Sequence, residues 1–332
     1  MRKLASIRRI DALNPIENAD AIECAVVGGW KVVVKRGEFA VGDLAVYCEI
    51  DSWIPTEMAP FLSKGKEPRV FEGVRGERLR TIKLRGQLSQ GLLLSRYAVL
   101  DKVGEIAEGM DVSELLNIKK WEKPMNAQLA GLCKGNFPSQ IPKTDQERVQ
   151  NLTAEIGAGQ GSFYEVTEKL EGSSMTCYLI DGEFGVCSRN LDLKRDENNA
   201  FWKAATQNGI EEKMRKFGND FAIQGELIGP GIQDNIYKLS ETKFYVFDVY
   251  DIADGRYLNP QDRRELIDVM GLNHVPVLNT CYVLNATVEQ ILNSAEGQSV
   301  LAKTEREGIV FKHVNGGMTF KAISNKYLLG EK

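Results

Sequence analysis

The chemistry in this chain begins at a lysine that closes a β-like run, with a carboxylate two residues on and a glycine after it. The segment is Glu168-Lys169-Leu170-Glu171-Gly172-Ser173-Ser174. A lysine amine is a nucleophile only when deprotonated, and its ordinary pKa is about 10.4. Burial and neighbouring cations lower that value, and lysine shifts readily. A lysine at a strand end beside a tight glycine turn can project into a cleft. Short strings of this kind also arise by chance, so the weight falls on the segments C-terminal to it.

Those segments stand in a definite order. Ser188-Arg189-Asn190 comes first, then Gln224-Gly225-Glu226-Leu227-Ile228-Gly229-Pro230-Gly231. Lys243-Phe244-Tyr245-Val246-Phe247-Asp248-Val249-Tyr250 is third, and Glu307-Gly308-Ile309-Val310-Phe311-Lys312 is fourth. Phe320-Lys321-Ala322-Ile323-Ser324-Asn325-Lys326-Tyr327 closes the series. No GxxxxGK[ST] loop occurs, so a P-loop kinase or ATPase is excluded and phosphate recognition falls to Lys and Arg side chains.

Periodicity supplies the framework on which these residues sit. Apolar alternation predicts strands at Phe163 to Leu170, Ser174 to Ile180 and Phe184 to Ser188, with a hairpin at Asp181-Gly182. Further strands are expected at 221–228 and 243–250, and helices at 198–217, 261–270 and 287–305. A final hairpin pairs Gly308–Lys312 with Met318–Ile323 around Asn315-Gly316-Gly317. This makes 156–332 an α+β domain. Residues 111–155 are polar and mixed, with Pro124, Gly131, Gly135, Pro138 and Pro142, and read as a linker. Thr144-Asp145-Gln146-Glu147 at its end has the capping-box spacing of a helix start.

Residues 1–110 carry short β runs: Trp30–Lys35, Ala45–Ile50, an alternating run from Leu79 to Arg85, and Gly91–Leu94. An OB-type barrel is expected. The whole chain has net charge −4, yet residues 61–100 hold nine Lys/Arg against three Glu. On charge alone this is a solvated face, but a local basic surface can also hold a phosphate backbone. Arg78, Arg80, Lys83 and Arg85 are the candidate nucleic-acid contacts.

In order and spacing, the segments from Lys169 to Lys326 resemble the nucleotidyl motifs of the covalent nucleotidyltransferase superfamily of DNA ligases, RNA ligases and capping enzymes. Gly225 through Asp248 looks most like the RNA-ligase branch. The β-rich module in front, with the chain ending six residues after Lys326, resembles the Deinococcus and Naegleria type: an N-terminal OB domain, then an ATP-grasp-like ligase domain of antiparallel sheets and helices. The resemblance implies an ATP-dependent RNA ligase in which Lys169 attacks the α-phosphorus of ATP. Glu168 would contact the base edge and Arg189 the ribose–phosphate side. Glu226 would bind a ribose hydroxyl, and Phe247 would stack on adenine, with Phe244 the competing ring. Lys321 would contact the α-phosphate, with Lys312 and Lys326 as further phosphate ligands. Glu171, Glu226 and Glu307 would hold Mg²⁺ or Mn²⁺. Where the family most often has Asp, this chain has Glu171, which puts direct contact with the metal in doubt.

The implied substrate is RNA or an RNA/DNA nicked duplex, and a monomer is expected. A DNA ligase, a GTP-using capping-type guanylyltransferase and a catalytically silent nucleic-acid-binding protein are the competing readings. The basic N-terminus has no apolar run behind it, so no secretory signal or membrane association is expected, and the cytosol or nucleus is the expected compartment. Six singly scattered cysteines and two histidines make a disulfide framework, a zinc site and a Ser-His-Asp triad poor readings. Cys177 and Cys187, in apolar alternations, are expected in the core.

Overall fold

The computed structural model describes residues 3–122, 133–218 and 220–331. Pro124 and Gly131 of the expected linker lie outside the described residues. The chain divides into two compact units, residues 3–122 with 150–153, and residues 133–149 with 154–331.

The first unit is built of short strands. Ala5–Arg9, Leu44–Cys48 and Leu92–Ser95 form one sheet, and Ala12–Ile16, Ala19–Val27 and Trp30–Lys35 form another. Ser52–Pro55, Val74–Arg78 and Arg69–Phe71 belong to a third. Trp30, Val32 and Val34 alternate inward as the sequence predicts, and Ile7, Val46, Ile54 and Val99 share one apolar cluster. The expected single strand from Leu79 to Arg85 is not formed. Leu79 and Thr81 are buried, and Ile82–Leu84 pairs separately with Gln87–Ser89. Arg85 and Gly86, both at positive φ, close that hairpin in the sense that matches strand twist.

The second unit holds two sheets. One contains Ser173–Ile180, Glu183–Cys187, Phe221–Ile228 and Lys243–Asp251. The other contains Glu147–Arg148, Thr319–Ile323, Gly308–His313, Phe163–Lys169 and Val277–Val283, in that spatial order. The chain passes between them over the three residues Leu170, Glu171 and Gly172. Met175, Ile223, Phe244, Val246 and Val249 of the first sheet pack against Trp202, Met214 and Ile267 of three helices. Cys177 and Cys187 are fully buried, as expected. In the second sheet, Phe311 stacks on Phe320 with centroids 4.7 Å apart.

Three helix expectations need correction. Thr144 starts no helix: its hydroxyl pairs with that of Ser174 at 3.0 Å, Glu147 accepts from the Arg148 N–H, and Glu147–Arg148 runs parallel to Phe320–Lys321. The 198–217 helix is two, Ala200–Gln207 and Ile210–Arg215, because Gly209 is left-handed at φ 59°. The 287–305 helix stops at Ala295. There the Arg306 guanidinium donates to the carbonyls of Ser294, Ala295 and Glu296, meeting backbone acceptors that a continuing helix would have used.

Candidate active site

Lys169 is the last residue of its strand, in register with Gly308 on the neighbouring strand. Its Nζ lies 2.7 Å from Glu307 Oε2. Burial pulls the Lys169 pKa down, but Glu307, Glu226 and the hydrogen bond to Glu307 together outweigh it and hold the amine above its ordinary value. The expectation of a lowered pKa is therefore corrected for this form, in which carboxylates outnumber the one amine. Glu226, from the Phe221–Ile228 strand, is pushed up to about 8 by burial, eased by Lys169 and reinforced by Glu307. Glu171 is also raised, first by burial, with Glu307 adding to the effect. Its backbone N–H donates to the Tyr237 hydroxyl at 2.7 Å.

Gly172 sits at a bend between two strands, but not for the sake of a left-handed φ. It is a place of close approach. A Cβ there would lie 2.3 Å from the Leu227 carbonyl oxygen, so only glycine lets the Ser173–Ile180 strand leave Glu171 and pair at once with Phe221–Ile228.

Across the sheet, Gln224 faces Asp248 and Gly225 faces Val246, which leaves Phe247 as the extra residue of a β-bulge. Bulges re-aim side chains. Here the alternation facing one core cluster runs Phe244, Val246, then Val249, so Phe247 and Asp248 turn away from it, Phe247 toward the edge of a second cluster of Leu170, Ile228, Tyr237 and Val275. Phe244 is 2% exposed, while Phe247 is half-buried with the Lys312 Nζ 5.6 Å from its ring centroid. Lys312 is itself buried. It donates to the Phe247 carbonyl at 2.6 Å, pairs with Asp248, and burial lowers its pKa to about 8.

The remaining predicted residues are spread around this centre. Arg189 acts electrostatically on both Lys169 and Glu226 and pairs with Asp145 at 2.6 Å. Glu168 is buried, and its Oε2 accepts from the Val300 N–H at 2.8 Å. Lys321 lies opposite Val310 on the strand beside that of Lys312. Lys326 is not drawn in; it is exposed and pairs with Glu296 at 3.0 Å. In the first unit, Arg80, Lys83 and Arg85 are exposed. Arg78 is half-buried, pairs with Asp51 at 2.6 Å and lies over the Trp121 ring at 3.8 Å.

Tyr237, Tyr327 and Asp248 belong to the site and were given no role from sequence. Burial raises the Tyr327 phenol, and Glu307 and Glu171 raise it further. Its position directly after Lys326 in the closing segment was the available signal. No three ligating side chains already converge as a metal cage among the described residues. The donor set nonetheless fits a hard divalent cation. Glu171, Glu226 and Glu307 repel one another, and Glu171 Oε2 is buried with no hydrogen-bond partner. Mg²⁺ and Mn²⁺ sites of this kind complete their shell with water and substrate phosphate.

A family model described as RNA ligase matches residues 162–327, and an OB-fold domain model matches residues 4–96. Among solved structures, Naegleria gruberi RNA ligase with PPi is 47% identical over 99% of this chain and 98% of that one, with TM-score 0.93. A variant of the same ligase with ATP and Mn is 47% identical over 98% of both chains, with TM-score 0.92. Another variant, with AMP and Mn, is 46% identical over 100% of both chains, with TM-score 0.93. No match is found among curated proteins.

Proposed function

The chain belongs to the RNA ligase family, and from that premise we propose that it joins RNA ends with ATP through an AMP bonded to Lys169. The observation that carries this reading is the strand-end amine of Lys169, held 2.7 Å from Glu307 with Glu226 and Arg189 beside it.

In the first step Lys169 Nζ bonds to the α-phosphorus of ATP, the bond to the bridging oxygen breaks, and pyrophosphate leaves. The AMP then passes to an RNA 5′-phosphate, and Lys169 is regenerated. A 3′-OH attacks that activated phosphate, forming the phosphodiester and releasing AMP. Glu171, Glu226 and Glu307 would hold Mg²⁺ or Mn²⁺. When bound, the cation neutralises phosphate oxygens and offsets the carboxylate charge that keeps Lys169 protonated. Glu307 orients the amine, and Phe247 offers its ring to adenine. Lys321 and Arg189 supply positive charge where the phosphates lie. Glu226, whose carboxyl is pushed up to about 8 by burial, faces the ribose. Glu168 meets the base edge and Lys312 supports the phosphates, while Lys326 would join them only on release from Glu296.

We extend the reading to nicks in duplexes whose 3′-OH strand is RNA. The first unit would grip the duplex through the exposed Arg80, Lys83 and Arg85, with Arg78 beside them. The ligase would act as a monomer in the cytosol or nucleus; among the described residues no helix is long and apolar enough to cross a membrane. The test is transfer of label from α-labelled ATP to the denatured chain with Mg²⁺ or Mn²⁺. Label should vanish in Lys169→Ala and chase onto a nicked RNA 5′-phosphate. Label from GTP alone would favour a capping-type enzyme, and no label from either nucleotide would leave a binding protein on a ligase fold.

A further inference from the structure

Beside Lys312 and Asp248 lies a group of buried charges to which the reaction scheme gives no role. Its centre is Arg263, in the Pro260–Val269 helix, which was expected from the sequence but lies outside every motif segment. Arg263 is 0% exposed. One Nη pairs with Glu165, and its Nε donates to His274 Nε2 at 3.0 Å. The other Nη is 3.8 Å from Asp248 Oδ1 and makes no hydrogen bond of its own. Arg264 takes the second oxygen of Glu165, and Asp248 in turn holds Lys312.

These partners come from different sheets. Glu165 lies four residues before Lys169 on the nucleophile's own strand. Asp248 lies on the bulged strand of the other sheet, next to Phe247. Lys312 belongs to the nucleophile's sheet and reaches across to the Phe247 carbonyl. Arg263 is thus a buried tie between the strand that carries Lys169 and the bulge that presents Phe247.

A buried guanidinium is costly unless well paired, and apolar replacements of such groups often fold as well or better. Core stability alone is therefore a weak reason for a charge here. A planar fork hydrogen-bonded to Glu165 and His274, with its third nitrogen facing Asp248 as an ion pair, does impose geometry.

We propose that Arg263 is a positioning residue for nucleotide binding, acting through Asp248 to seat Lys312 and the Phe247 bulge and through Glu165 to set their distance from Lys169. This rests on the reading of the site as an ATP site, but its readout needs no covalent step. Equilibrium binding of ATP with Mn²⁺ is measured in the Lys169→Ala background, beside the thermal unfolding midpoint of each variant. Arg263→Met should raise the ATP Kd about tenfold, the scale of one charge-assisted contact. Asp248→Asn should raise it similarly, and the double variant no further than the larger single effect, because both break one chain of contacts. Arg263→Lys keeps the charge but not the fork, and should raise Kd measurably while the protein stays folded; it decides the matter if Arg263→Met does not fold. An unchanged Kd in the folded Arg263 variants, or fully additive effects in the double variant, would overturn the proposal. Covalent labelling of the wild-type chain is read separately, so its failure would strike the proposed ligation and leave this binding result standing.

Discussion

Phe244 and Phe247, three residues apart on one strand, stand on opposite faces of the sheet. Phe244 is sealed in the core with Met175 and Ile223, and Phe247 is half-buried beside Lys312. Their truncations should separate cleanly. Phe244→Ala should cost about 3–5 kcal/mol of stability, read as a lowered unfolding midpoint. Phe247→Ala should lower the midpoint less, since its ring only edges a second apolar cluster, and weaken ATP binding by about 1–3 kcal/mol, the scale of base–aromatic stacking. Equal effects on both readouts would remove the stacking role from Phe247.

Gly172→Ala should cost about a hundredfold in the rate of Lys169 labelling. Its Cβ would meet the Leu227 carbonyl at 2.3 Å and Ile228 Cγ2 at 2.7 Å, and misplacement by about 1 Å is enough for such a loss. Gly157→Ala, with open space around the new methyl, should be silent. Single-turnover labelling of the two variants makes the comparison.

Neutralising Arg80, Lys83 and Arg85 to Gln should flatten the salt dependence of nicked-duplex binding. If all three contact phosphate, the slope of log K against log salt should fall by roughly 2–3, with Lys169 labelling intact. Arg78→Gln should instead lower the unfolding midpoint, because it removes the Asp51 pair and the Trp121 stack. Binding with an unchanged salt slope would remove the first unit's basic segment from the interface.

Lys312 predicts a pH effect of definite sign. Burial lowers its folded pKa to about 8, against about 10.4 in an unfolded chain. Between those values the unfolded state binds more protons, so this residue makes stability rise with pH across that window. Lys312→Met should remove that rise. Denaturant midpoints from pH 7 to 10 test it, and identical slopes for the two proteins would show that Lys312 titrates normally.

Much of the site could be read from the chain because its strands are apolar-rich runs buried along nearly their whole length. Phe163–Lys169 and Phe221–Ile228 emerge where such runs predict them. The hidden part depends on partners far away in sequence. Arg263 looks like a solvent-facing helix residue until Glu165, 98 positions earlier, meets it in the core. The bulge at Phe247 exists only in relation to the strand opposite. The end of the last long helix at Ala295 is set by Arg306, and the failed helix at Thr144 by a hydroxyl on Ser174. Local propensity carries none of that information.

The three-residue passage from Lys169 to Ser173 has an evolutionary consequence. It joins the sheet that carries Lys169, Lys321 and the Glu307 turn to the sheet that carries Glu226 and Phe247. On the proposed reading, Lys169, Lys321 and the base-edge Glu168 of one sheet and Glu226 and Phe247 of the other thus share one nucleotide across a connection of fixed length. An insertion in the passage would displace both sets of groups relative to each other at once. Lineages of this enzyme should therefore hold the length of those three residues constant even where the loops around them vary.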